Sequence, residues 1–204
     1  MACDLRHELE LARETGAPVC GIDEAGRGPL AGPLTVAAVI LPEGFSLPGL
    51  DDSKKLTARR RDVCHAALMA NSEVRWHCEV IETEEIDRLN ILGATRAGMR
   101  RVALAVGAAA ALIDGLPVPD FPIPQRALVG GDGLSLSIAA ASVIAKVTRD
   151  RIMMEMDRLY PQYGFAKHKG YGTKEHLRAL QTHGHTPIHR RSFAPVAQAT
   201  LGLG

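Results

Sequence analysis

The chain has 204 residues, 46% of them hydrophobic, enough for one sizeable core, and length alone favours a single domain with a helical appendage. A formal net charge of +1 excludes a global field that would drive it onto nucleic acid or a membrane, so any basic surface has to be local. Four cysteines without close pairing (Cys3, Cys20, Cys64, Cys78) argue against a disulfide framework or a zinc knuckle, and a charged N-terminus with no long apolar run argues against a secretory signal or a membrane span; a soluble, cytoplasmic protein is expected.

The first strand is expected over 17–23, "APVCGID", and the second over 34–41, "LTVAAVIL". The second is apolar almost throughout, which suggests burial on both faces, and the short gap favours an antiparallel pair. Residues 41–56 read as loop. A helix follows over 57–70 with Thr57 as N-cap, then a strand over 74–82 whose Val74, Trp76, Cys78 and Val80 share a face. Thr83 before Glu84 and Glu85 signals a helix start, and "ATRAGMRRVALAVGAAA" reads as a longer helix with arginines on one side. Short strands are expected over 111–114 and 126–132, separated by a proline-rich connector. A long helix over 136–161 stops near Pro161, and "GTKEHLRALQTHG" reads as a last amphipathic helix between Thr173 and Gly184. The order, roughly β-β-α-β-α-β-β-α-α, implies an α/β domain of two or three layers with a mixed sheet. A boundary near residue 160 divides the expectation into a core (1–160) and a packed C-terminal helical lobe (161–204).

Three of these strands end in carboxylates: Asp23 with Glu24, Asp114, and Asp132. Strand ends converge at one edge of an α/β sheet, where sites form. Four acids meeting there repel unless a cation neutralises them, and hard oxygen donors suit Mg²⁺ or Mn²⁺. Two such ions could clamp the attacking and leaving oxygens of a phosphoryl displacement. The alternative is four separate solvated turn acids. "AGRG" follows Asp23–Glu24 at once; Gly26 and Gly28 would let main-chain amides approach a ligand, with Arg27 on a phosphate or ribose edge, although a plain tight turn also favours glycine. "FAKHKGYGTKEH" carries Lys167, His168, Lys169 and Lys174 around Tyr171, a plausible nucleic-acid contact or a solvated loop. Ser142, Lys146 and Asp150 fall four apart on one face of the long helix and would line the site or form an exposed polar stripe.

"GIDEAGRGPLAGP", "LIDG", "GD…LSIAAASVIAKVTRDR", "HKGYGT" and "HRRSF", in this order from about residue 18 to residue 196, resemble the ribonuclease HII (type 2 ribonuclease H) family. The resemblance implies an RNase H-like mixed sheet flanked by helices with a C-terminal helical lobe. It implies cleavage of the RNA strand of RNA–DNA hybrids and of DNA duplexes with an embedded ribonucleotide. It implies Mn²⁺ or Mg²⁺, two ions with substrate bound, and 5′-phosphate and 3′-hydroxyl products. The family's catalytic and metal-holding acids fall on Asp23, Glu24, Asp114 and Asp132, its glycine–arginine–glycine loop on Gly26, Arg27 and Gly28, and its substrate-sensing tyrosine on Tyr171. The basic residues Lys146, Lys167 and Lys169, with Ser142, complete the expected substrate-binding set. Two departures are visible: Gly130 stands where a lysine often precedes the last "GD", and Gly172 where proline is common.

A DNA exonuclease or strand-transfer enzyme of the same fold would also use clustered acids, but the "GRG" loop and "HKGYGT" suit sensing of a 2′-hydroxyl. A non-catalytic hybrid-binding module would gain nothing from four acids facing an anion. "HGHTPIH" (183–189) could be read as a zinc site, yet no cysteine or spaced partner completes it. The tail places Gln198, Leu201 and Leu203 a little like a sliding-clamp-binding peptide; a frayed terminus is the plainer reading. A monomer is expected.

Overall fold

A computed structural model describes residues 3–16, 18–50 and 56–201, with the side chains of Thr200 and Leu201 left aside. A helix, α1 (Arg6–Thr15), precedes the strands β1 (Val19–Ala25) and β2 (Leu34–Ile40). Then come α2 (Ala58–Ala70), β3 (Arg75–Ile81), α3 (Thr83–Ala105), β4 (Ala110–Asp114) and β5 (Gln125–Leu128). The remainder is helical: α4 (Leu136–Leu159), α5 (Phe165–His168), α6 (Lys174–His183) and α7 (Ala194–Leu201). Part of the loop expected over 41–56, including Asp51–Lys55, lies outside the described residues.

The five strands form one mixed sheet in the order β3-β2-β1-β4-β5. β4 lies parallel to both β1 and β5, with Ile22 opposite Ile113 and Asp114 opposite Leu128. Parallel neighbours need crossover connections, and α2–β3–α3 supplies the one between β1 and β4. β2 is buried along its whole length, Thr35 included, as its nearly unbroken apolar run requires. β3, an edge strand, departs from its alternation: Val74, just before it, is buried and Cys78 packs against the core, but Trp76 is 44% exposed.

The chain divides into two compact units. The first comprises residues 1–25, 36–79 and 96–147, the second residues 26–35, 80–95 and 148–204. In the first, α2 and α4 pack apolar faces on β2, through Leu68, Cys64, Ala140 and Ile144 against Ala37 and Val39. Leu11 of α1 and Ile138 of α4 close on Val19, Ala110 and Leu112. The start of α4 runs against Gly21, where any Cβ would collide with the backbone of Ser137 and Ile138. In the second unit, Ala31, Met153, Tyr163, Phe165 and Ala179 form one cluster, and Leu30, Leu180 and Val196 another.

Thr57 and Thr173 cap α2 and α6 as expected, each hydroxyl accepting from the amide three residues on. α3 breaks at Asn90 (φ 56°, ψ 168°), whose side chain accepts from the amides of Leu92 and Gly93 and so restarts the helix. α6 is followed by α7 and is not the last helix. All four cysteines are free thiols, and among the described residues no helix is long and apolar enough to cross a membrane.

Candidate active site

Asp23 near the end of β1, Asp114 at the end of β4 and Asp132 each present one carboxylate oxygen, and the three oxygens lie within 4.8 Å of one another. Asp132 reaches the cluster from a single 3₁₀ turn (Gly131–Gly133) after β5, not from a strand end. Gly130, in the left-handed region at φ 68°, turns the chain there, and the amide of Gly131 donates to Asp114 at 2.7 Å. Glu24, the next residue after Asp23, is half-buried and stands outside the trio of oxygens.

Asp23 is buried, and its carboxyl is pushed well above the usual carboxylate range. Burial is the main cause; the charges of Glu24 and Asp114 add to it, and the Ser142 hydroxyl and the Glu24 amide work against it. Ser142 on α4 is thus brought to the cluster, and Lys146 sits one turn further along the same helix. Three oxygen donors gathered so closely, one held toward protonation by its burial and then by its charged neighbours, form a set that a divalent cation relieves, so the residues fit a hard metal ion. Among the described residues it is the one such group of three or more candidate ligands.

The N-terminal segment, which carried no signal in the sequence reading, holds the Asp132 turn. The Cys3 thiol donates to the Asp132 carbonyl at 3.3 Å, and the Leu136 amide to the Asp4 carbonyl at 3.0 Å. Glu8 is buried, and its Oε1 accepts from the hydroxyls of Ser135 and Ser137 and from the Ser137 amide at 2.6–2.8 Å, which caps α4.

In the second unit, Arg27 and Gly28 lie exposed while Gly26 is buried at φ +100°. Gly28 has room: an added Cβ would meet Tyr171 Cε1 at 3.5 Å, an ordinary contact. Tyr171 is 47% exposed, and its backbone is fixed. Its amide donates to the His168 carbonyl, and its carbonyl accepts from Thr173 at 2.8 Å and from His176 Nδ1 at 2.9 Å. The carbonyl assigns the His176 tautomer: Nδ1 carries the proton, so Nε2 accepts from His189 Nε2 at 3.0 Å, and His189 Nδ1 accepts from the Thr186 amide at 2.9 Å. His189, in the stretch that could be read as a zinc site, is therefore spent on this relay.

The basic residues divide. The Lys167 ammonium pairs with Glu175 at 2.7 Å, and that of Lys169 donates to the Ala166 carbonyl at 2.6 Å. Gln198 is exposed on α7, and Leu203 and the Leu201 side chain lie outside what the structure describes.

A five-stranded mixed sheet with Asp23 and Asp114 at strand ends and Asp132 on the turn after β5 fits a metal-dependent nuclease of the ribonuclease H type. The family model "Ribonuclease HII" matches residues 20–196, and the chain belongs to that family. The ribonuclease HII of Desulfitobacterium hafniense (strain DSM 10664 / DCB-2) is 53% identical over 196 residues, which cover 95% of this chain and 75% of that protein. The crystal structure of ribonuclease H2 from Pyrococcus horikoshii OT3 superposes with a TM-score of 0.74 at 22% identity, covering 90% of this chain and 97% of that one. The RNase HII of Archaeoglobus fulgidus, solved in complex with PCNA, gives 0.73 at 24% identity, over 85% and 93% of the two chains. The chain is accordingly a metal-dependent ribonuclease H that acts on RNA–DNA hybrids.

Proposed function

We propose that the enzyme is an endonuclease that cuts both long hybrids and DNA duplexes carrying an embedded ribonucleotide, leaving 5′-phosphate and 3′-hydroxyl ends. The observation that carries the chemistry is the convergence of Asp23, Asp114 and Asp132 on one point of the sheet edge. With Glu24, these acids would hold Mg²⁺ or Mn²⁺, two ions when substrate is bound. Bound there, the ions supply Lewis acidity, lowering the pKa of water and offsetting charge on the phosphoryl oxygens.

The chain's own residues do the rest. Ser142 and the Glu24 amide orient Asp23, and the Gly131 amide orients Asp114. Gly26, Arg27 and Gly28 meet the ribose through main-chain donors, which tells RNA from DNA at the 2′-oxygen. The Tyr171 ring stacks on the sugar that follows. Lys146, Lys167 and Lys169 serve the phosphate backbone. Residues 1–160 would form the catalytic core and 161–204 a helical substrate-binding lobe. A weak sliding-clamp contact, which the C-terminal tail would make, has support only as to the partner, from the complex of the Archaeoglobus protein with PCNA. A cytoplasmic monomer completes the reading.

The test is cleavage of a duplex with one embedded ribonucleotide in Mn²⁺, mapped at nucleotide resolution beside an EDTA control and an all-deoxy duplex. One cut on the 5′ side of the ribonucleotide is expected. Cutting of the all-deoxy duplex, or binding without cutting in Mn²⁺, would overturn the reading.

A further inference from the structure

Arg149 and Arg190 are the largest fully buried side chains among the described residues, at 1% and 0% exposure. Burying a guanidinium is costly, and carboxylates usually compensate it. Here every hydrogen-bond acceptor is a neutral backbone carbonyl. Arg149 donates to Pro33 (2.9 Å), Ala31 (3.0 Å) and Lys169 (2.9 Å). Arg190 donates to Gly26 (2.6 Å), Pro29 (2.8 Å), Gly32 (3.0 Å), Arg27 and Pro33 (both 3.1 Å), and its amide donates to Leu30 (2.9 Å). From Gly26 to Pro33, every carbonyl except that of Gly28 is thus held by one of these two residues.

The consequence lies on the other side of the peptide planes. Among the described residues all the peptides are trans, so each C=O points opposite to the N–H that follows it. With the carbonyls of Gly26 and Arg27 drawn onto Arg190, the amides of Arg27 and Gly28 point away from it, at the exposed end of the loop. Arg149 also holds the Lys169 carbonyl, two residues before Tyr171, and the Leu30 amide donates to the Gly170 carbonyl at 2.8 Å. One buried pair of side chains therefore sets both the loop and the tyrosine segment.

We propose that Arg149 and Arg190 are positioning residues for ribose recognition: they pull the carbonyls of residues 26–33 inward and so aim the amides of Arg27 and Gly28 outward as a donor pair for the sugar's 2′-oxygen. The inference rests on the loop being the ribose sensor, as proposed above. Arginine is required because it offers five donors in a planar fork, whereas lysine offers three from one point. A loop with two prolines and little regular pairing cannot satisfy its own carbonyls.

The test is fluorescence-anisotropy binding in EDTA, using a duplex with one embedded ribonucleotide and the same duplex in all-deoxy form. Wild type should prefer the ribonucleotide. In Arg149→Lys and Arg190→Lys, measured below their melting transitions, that preference should fall about tenfold, or to unity if it is smaller, while all-deoxy affinity stays within about twofold. Should Arg190→Lys not fold, Arg149→Lys, which gives up fewer bonds, carries the test. Lowered melting temperature with an unchanged preference would overturn the inference and leave the loop reading standing. A wild type without preference would overturn the loop reading and the inference with it.

Discussion

Gly26→Ala and Gly28→Ala, two residues apart in one motif, should behave oppositely. At Gly26 the φ of +100° is one that L-residues rarely adopt, and the new methyl would collide with the Arg149 side chain and lie 2.9 Å from the Pro33 carbonyl. The backbone strain costs about 1–2 kcal/mol. Displacing Arg149 leaves buried charge-assisted bonds unmade, at about 1–3 kcal/mol more. The sum, about 2–5 kcal/mol, corresponds to a melting temperature lower by about 4–20 °C for a chain of this size. At Gly28 the methyl meets only the edge of Tyr171 at 3.5 Å, so stability should stay within about 0.5 kcal/mol of wild type. Its methyl would nevertheless stand on the exposed stretch assigned to the sugar, and cleavage of a single-ribonucleotide duplex should fall about tenfold or more. Scanning calorimetry and initial-rate cleavage on both variants settle the matter. Gly26→Ala melting within about 2 °C of wild type would refute the packing argument, and full activity in Gly28→Ala would refute the close approach of the sugar.

Asp114→Asn keeps the oxygen that accepts from Gly131 but removes a charge from the acid trio; it should cut cleavage at least 100-fold, on the order of 3 kcal/mol, with unchanged melting and weaker Mn²⁺ binding by calorimetry. Tyr171→Ala should cost roughly 5- to 150-fold at a ribose-to-deoxyribose junction, from ~1–3 kcal/mol of stacking, and less on a long hybrid; equal losses on both would make the ring a general contact. Glu8→Ala strips three donors of their acceptor at the start of α4, so it should destabilise by about 2 kcal/mol and also weaken Mn²⁺ binding through the Asp132 turn; urea melts and Mn²⁺ titration check both. Burial, with the nearby His176 and His185, lowers His189 to about 3. Between that value and the ordinary value near 6.5, the unfolded chain takes up a proton at His189 that the folded chain does not, so this contribution is full above pH 6.5 and shrinks as pH falls. At pH 5 the loss is about 2 kcal/mol, and urea midpoints at pH 7.5 and 5 should differ less in His189→Gln than in wild type.

Much of the site was legible because its signals are local. Asp23, Glu24 and Asp114 close apolar runs, and a strand end can be read from the run before it. Asp132 was placed on a strand because "RALVGGD" looks continuous; only the backbone freedom of Gly130 turns the last residues out of β5. α1 escaped because its buried face contains Glu8 beside Leu11, which breaks an apolar stripe, and the charge finds its donors more than 120 residues away. Arg149 escaped for a related reason, since a buried cation reads as an exposed one. Its signal was positional: Ser142, Ala145, Arg149 and Met153 fall on one buried stripe of α4 at helical spacing. Arg190 sits in a loop, where spacing says nothing.

The two buried guanidiniums have an effect that reaches beyond their bonds. Burial lowers Arg149 to about 10 and Arg190 to about 9, against the charges of Asp150 and Asp87, so both keep their protons at neutral pH, beneath a loop that binds them through carbonyls alone. Mobile ions cannot enter to screen them, and no counterion is shed when an anion arrives outside. A phosphate bound over residues 26–28 would therefore feel an attraction that salt hardly weakens. The slope of log affinity against log salt would then undercount the positive charges that act on the nucleic acid, and residual binding at high ionic strength would trace to side chains that never touch it.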